Sequence, residues 1–157
     1  MSQDNSELLL RSFSSVFEGF AFMFVEQEPD LDPENPGACL QANIQFQSRD
    51  KQGTLKVIAP EDLCLELAEN ILGTETEELP ENAGENALKE ILNVSCGSLL
   101  AEKFGTEEVF GLSIPETSQV SEEHWNSCCQ DGQHELFWVD ESPMLAQFQS
   151  SSQDASV

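Results

Sequence analysis

Along residues 6–24 the apolar positions Leu9, Phe13, Val16, Phe17, Phe20 and Phe24 recur at spacings of three and four, which predicts an amphipathic helix capped by Asn5 or Ser6. The aromatic cluster near its end, Phe20, Phe22, Met23 and Phe24, is expected to be core or interface. Pro29, Pro33 and Pro36 among acidic residues predict a loop from Glu26 to Gly37. The period then becomes two. Leu40, Ala42, Ile44 and Phe46 alternate with Gln41, Asn43, Gln45 and Gln47, the pattern of a strand with one wet face. Turn residues at Ser48–Gly53 lead to a second strand, Thr54–Ala59, with Leu55 and Val57 inward, so the two form an antiparallel hairpin. Pro60, then Cys64, Leu67, Ala68 and Ile71, then Gly73 predict a short helix. An acidic connector from Thr74 to Pro80 follows.

The chain is organised around the next segment. Asn82 followed by Glu85 is a capping pattern and Gly105 is a stop signal, predicting a helix of roughly 22 residues, about 33 Å long. At about 100° per residue, Leu88, Ile91, Leu92, Ser95 and Leu99 share one face directed at a core. Asn86, Glu90, Asn93 and Gly97 share the opposite side, with Ala101 close by. A mid-helix glycine costs roughly 1 kcal/mol relative to alanine, which is easier to understand if a partner's backbone or a tightly packed neighbour passes near Gly97.

Beyond Gly105, Val109–Ile114 predicts a strand ended by Pro115. Residues 116–133 are polar and turn-rich, a loop or a short helix near Trp125. His134–Val139 and Met144–Gln149 predict a hairpin around Asp140–Pro143, with Leu136, Trp138, Met144, Ala146 and Phe148 inward. The predicted class is α+β: one largely antiparallel sheet with helices packed on one face. A chain of 157 residues suits one domain, placed at 1–149, with 150–157 a flexible tail.

Charge narrows the function classes. Thirty acidic residues against six Lys and Arg give a net charge of -24, unfavourable for nucleic acid or an anionic membrane surface. The charge favours solubility, and either a basic patch on a partner or a saline habitat would account for it. Five cysteines without framework spacing imply free thiols in a reducing compartment. The first residues lack the pattern of a secretion signal, and no run of about 18 apolar residues occurs, so a cytoplasmic protein is expected.

Glu90 and Asn93 stand one turn apart, where two side chains can act on one external object. A carboxylate pairs with a cation; a carboxamide donates and accepts at once and can orient a water. Neither is a nucleophile. Together they suit the placement of a water and a lysine around a phosphoryl group carried by another molecule, since phosphoryl transfer depends mainly on in-line positioning and charge stabilisation. Other clusters point to less. His124, Cys128, Cys129 and His134 raise a zinc question, but adjacent cysteines rarely suit a tetrahedral site and no metal site is expected. Cys96 reads as a buried structural thiol. Glu81, Glu85, Glu107 and Glu108 read as capping and solubility charges. No glycine-rich phosphate loop or GxSxG elbow is present.

The run Glu90-Ile91-Leu92-Asn93-Val94-Ser95-Cys96-Gly97, preceded by Ala87-Leu88 and followed by Phe110-Gly111-Leu112-Ser113-Ile114-Pro115, resembles the CheC/CheX/FliY family of chemotaxis phosphatases over residues 6–149. That family carries Glu-x-x-Asn on an exposed helix with glycine four positions after the Asn. A single such helix resembles the CheX branch. The resemblance implies an α+β fold that can dimerise, and an enzyme that dephosphorylates a phosphorylated CheY-type response regulator. It implies that the regulator brings the aspartyl phosphate, Mg²⁺ and a lysine, with no cofactor bound by this chain. Glu90 would then pair with the lysine and Asn93 would align the water, while Asn86, Gly97 and Ala101 would form the docking surface. Ser95 and Cys96 depart from the aliphatic or small residues expected there. With the strong acidity, they keep open a non-catalytic module of the same fold that binds a receiver domain, a flagellar switch component or itself.

Overall fold

The computed structural model describes residues 2–27, 33 and 36–152. Its strands are β1 (Val25–Glu26), β2 (Cys39–Gln47), β3 (Lys51–Pro60), β4 (Gly111–Leu112), β5 (Glu116–Val120), β6 (Glu135–Val139) and β7 (Ser142–Ser152). The helices are α1 (Ser2–Ala21), α2 (Glu61–Leu72), α3 (Ala83–Phe104) and α4 (Glu122–Gln130), with a 3₁₀ turn at Thr76–Glu78. All seven strands join one antiparallel sheet in the order β1-β6-β7-β3-β2-β4, and β5 shares the outer edge of β2 with β4.

The alternation in the sequence sets the layers. Leu40, Ala42, Ile44 and Phe46 of β2 join Leu55, Val57 and Ala59 of β3 and Met144, Ala146 and Phe148 of β7 on the inner face. Over them lie Leu9, Phe13 and Phe17 of α1, Leu63 and Leu67 of α2, and Leu88, Leu92 and Leu99 of α3. Each such side chain contributes about 1.5–3 kcal/mol by leaving water. Phe13 meets Phe137 edge-on at 5.4 Å and Phe46 stacks on Phe148 at 5.6 Å. The α+β class and the antiparallel sheet are therefore as predicted. Three helices cover one face, and α4 is the exception. Cys39, Ile58 and Leu145 lie on the outward register, so an apolar spot remains there, and Trp125 and Cys128 of α4 cover it.

Several local expectations give way. The first helix begins at Ser2, ahead of the expected caps, and ends at Ala21. Phe22 then takes a left-handed φ of 57°, the Met23 N–H returns to the Phe17 carbonyl at 3.2 Å, and Asn70 Nδ2 donates to the Ala21 carbonyl at 2.8 Å. This reversal buries Met23 but leaves Phe20 45%, Phe22 77% and Phe24 62% exposed, so those three phenylalanines are not core. Gly53 is a strand position, not a turn: a Cβ there would strike the Gln149 carbonyl and the Phe46 ring that lies across it. The strand predicted at 109–114 is only Gly111–Leu112, which pairs with Gln47 and Phe46 at the end of β2, and β5, predicted as loop, pairs with Cys39–Asn43 on the same edge. Val109 and Ile114 are exposed. In the last hairpin the inward residues of β6 are Phe137 and Val139, whereas Leu136 and Trp138 lie on the opposite face, opposite Leu145 and Pro143. The predicted tail begins later than 150, since β7 continues to Ser152; residues 153–157 lie outside the described residues, as do 28–32 and 34–35 of the predicted loop.

Candidate functional site

Helix α3 spans 22 residues and stops at Gly105, whose φ of 85° few other residues adopt and whose N–H reaches the Ala101 carbonyl. Its start differs from the predicted capping box. Asn82 is left-handed at φ 67°, so its side chain makes no cap bond, and the Ala83 N–H uses the Pro80 carbonyl at 3.1 Å. Glu85 instead accepts a hydrogen bond from Thr117 Oγ1 at 3.4 Å. Inward, Leu88, Ile91, Leu92, Ser95 and Leu99 are all buried, as the helical spacing predicts.

Asn86, Glu90, Asn93, Gly97 and Ala101 form an exposed strip along the outer side of α3. The Glu90 and Asn93 side chains have no hydrogen-bond or ion-pair partner among the described residues. Residues three apart on a helix carry their Cβ atoms about 5–6 Å apart, so one external group can meet both. Two charges further along the surface are engaged: Arg11 pairs with Glu102 at 2.7 Å, and Lys103 Nζ donates to Asn5 Oδ1 at 3.4 Å. A Cβ added at Gly97 would meet nothing within 4 Å. Of the two reasons for a glycine here, a packed neighbour in the same chain is thereby excluded.

Ser95 and Cys96 are buried, so these departures from the family pattern face the core and not the strip. Burial pushes the Cys96 thiol up to about 12, and burial, reinforced by Cys39, Glu61 and Glu85, does the same to Cys64. Neither is a thiolate nucleophile at neutral pH. Glu108 has a structural partner: it accepts from Lys51 Nζ at 2.8 Å and from Ser48 Oγ at 2.6 Å, tying the segment after α3 to the β2–β3 turn. A groove of about 790 Å³ crosses the outer sheet face, lined by Gln45, Gln47, Gln52, Thr54 and Gln149 among others. No titratable side chain lines it, so it offers no acid or base. Asp131, not singled out in the sequence, contacts His134 near Cys128; the Asp-x-x-His spacing was the signal available. Among the described residues no helix is long and apolar enough to cross a membrane.

No curated protein matches the chain. Solved structures similar to it include the chemotaxis protein CheX from Desulfovibrio desulfuricans, 13% identical, TM-score 0.64, over 93% of this chain and 98% of that one. CheX from Vibrio vulnificus is 16% identical, TM-score 0.64, over 92% and 95%. CheX from Borrelia burgdorferi, solved as a CheX–CheY–BeF3–Mg²⁺ complex, is 13% identical, TM-score 0.61, over 92% and 96%. Residues 40–136, more than half of the chain and including all of α3, match the family described as chemotaxis phosphatase CheX. The chain therefore belongs to the CheX family within the CheC/CheX/FliY group.

Proposed function

We propose that this protein accelerates dephosphorylation of a phosphorylated CheY-type response regulator, with Glu90 and Asn93 as its catalytic residues. The observation that carries the reading is the pair itself, one turn apart, exposed, and without a hydrogen-bond or ion-pair partner among the described residues. Side chains held ready for a function inside the fold would have partners there. The CheX from Borrelia burgdorferi, found with CheY, supports the choice of partner.

The division of labour follows from the chemistry. The regulator carries the aspartyl phosphate with its Mg²⁺, which offsets phosphoryl charge. This chain adds two positioned groups. Glu90 pairs with the regulator's active-site lysine and fixes the orientation of the complex. The Asn93 carboxamide accepts one hydrogen of a water and directs its oxygen in line with the phosphorus. The water oxygen bonds to phosphorus, the bond to the aspartyl oxygen breaks, and the aspartate leaves as a carboxylate. No covalent intermediate forms on this chain. Asn86, Gly97 and Ala101 let the regulator approach the helix closely.

The test is phosphate release from a phosphorylated CheY-type protein with and without the chain. Acceleration is expected, and Asn93→Ala should abolish it while the fold and docking persist; Glu90→Ala should weaken docking and rate together. A release rate that the chain leaves unchanged would sink the enzyme reading, and binding under those conditions would favour the non-catalytic module.

A further inference from the structure

Helix α4 and the turn after it gather a second set of chemically able side chains, on the sheet face opposite α3. Ser121 caps α4 by accepting from the His124 N–H at 3.1 Å, and Trp125 and Cys128 anchor it over Cys39, Ile58 and Leu145. His124 and Cys128, four apart, meet on that helix, with Nε2 to Sγ 3.6 Å. Gly132, at φ 71°, lets the chain double back, so that His134 returns to Asp131 with Nδ1 to Oδ2 2.9 Å. The donor atoms of Cys128, Asp131 and His134 all lie within 4.8 Å of one another.

Two features separate this cluster from an ordinary polar turn. The His134 side chain is only 4% exposed, and its Nε2 is enclosed with no partner, leaving an imidazole that hydrogen bonding within the described residues does not satisfy. Cys128, Asp131 and His134 converge to within 4.8 Å and His124 Nε2 is 3.6 Å from Cys128 Sγ, so side-chain rotations bring the four to one ion. Zn–S distances near 2.3 Å and Zn–N or Zn–O distances of about 2.0–2.2 Å put neighbouring tetrahedral donors roughly 3.3–3.6 Å apart. A cavity of about 310 Å³, lined in part by Asn126, Cys129 and Gln130, opens onto His134 and supplies an entry path. The sequence argument against a site rested on adjacent cysteines; Cys129 is not in the set, and Asp131 takes the place it would have held.

We infer that His124, Cys128, Asp131 and His134 form a structural site for a transition-metal ion of the Zn²⁺ class. Thiolate, imidazole and carboxylate are donors that such ions accept, whereas Mg²⁺ and Ca²⁺ prefer oxygen alone. With four protein donors the site is closed, so its role is to fasten the C-terminal end of α4 and the start of β6 to one point. His124 reaches the ion by releasing Gln41 Oε1, now 3.2 Å from its Nε2.

The test uses the full chain, freed of metal by chelation, reduced, and titrated with Zn²⁺ or Co²⁺ in excess Mg²⁺ so that surface carboxylates are occupied. One equivalent is expected to bind with submicromolar affinity, to raise the unfolding midpoint, and with Co²⁺ to give a thiolate charge-transfer band. Cys128→Ser should remove that band, and His134→Gln and Asp131→Asn should each weaken binding at least tenfold. Asp131 is exposed, so that variant is read even if burial makes the other two fold poorly. Cys129→Ser and Asn93→Ala should bind as the parent does, which keeps this site distinct from the one on α3. No binding above the Mg²⁺ background, or binding that survives Cys128→Ser with its cobalt spectrum intact, would overturn the inference.

Discussion

Replacing Gly97 by alanine should make the protein more stable and less useful at once. In the interior of α3 the change removes backbone freedom from the unfolded chain and should gain up to about 1 kcal/mol. Nothing offsets that gain, because the new methyl meets no atom of its own chain within 4 Å. For a domain of this size about 1 kcal/mol raises the unfolding midpoint by roughly 2–4 °C. The docked state answers differently. An interface packed to the density of a protein interior accepts an extra methyl at a cost of about 1–3 kcal/mol, which is about 5- to 150-fold in affinity for the regulator. Thermal unfolding and titration of the phosphorylated regulator, run on the same preparations, give the two numbers. A more stable variant with unaltered regulator binding would show that the bare strip is not where the partner sits. A less stable variant would contradict the open space at Gly97 itself.

Other perturbations bear on the frame of the site. Ser95 is buried in α3 with a hydroxyl that has no partner among the described residues, so Ser95→Ala should be neutral or stabilising by up to about 1 kcal/mol, with phosphate release unchanged; calorimetry and the release assay check both halves. Gly53→Ala should destabilise by about 1–3 kcal/mol in denaturant titration, since backbone of β7 and the Phe46 ring block the new Cβ. Glu108→Ala should lower the unfolding midpoint by a few degrees. The Glu108 hydrogen bond raises the Lys51 pKa above its ordinary 10.5, so this contribution is whole below pH 10.5 and fades only as pH climbs through the raised value. The loss should accordingly be the same at pH 7 and pH 9.

Where one face of an element meets the core and the other meets water, the sequence records it. The inward leucines of α3 and its outward Glu90, Asn93 and Gly97 follow from a 3.6-residue period, its end from Gly105, and the β2–β3 pairing from a period of two. Where both faces are partly covered, the record blurs. Leu136 and Leu145 pack with the α4 cluster, Phe137 and Met144 lie in the main core with Phe137 against Phe13 of α1, and the resulting apolar run carries no phase from which the inward set of β6 can be read. The exposed phenylalanines are hidden for another reason: the helix ends at Ala21 and reverses at Phe22, a left-handed position occupied by neither glycine nor asparagine. The Cys128–Asp131–His134 cluster needed the turn at Gly132, and a left-handed glycine reads from sequence only as a generic turn.

Glu90 and Asn93 are supported from behind by the buried face of α3, yet among the described residues neither side chain makes a hydrogen bond or ion pair. Purifying selection for a well-folded chain is therefore blind to both. On the proposed reading, a single codon change at either position silences the chemistry and leaves the architecture intact, so the fold and the activity of proteins built this way are separate questions.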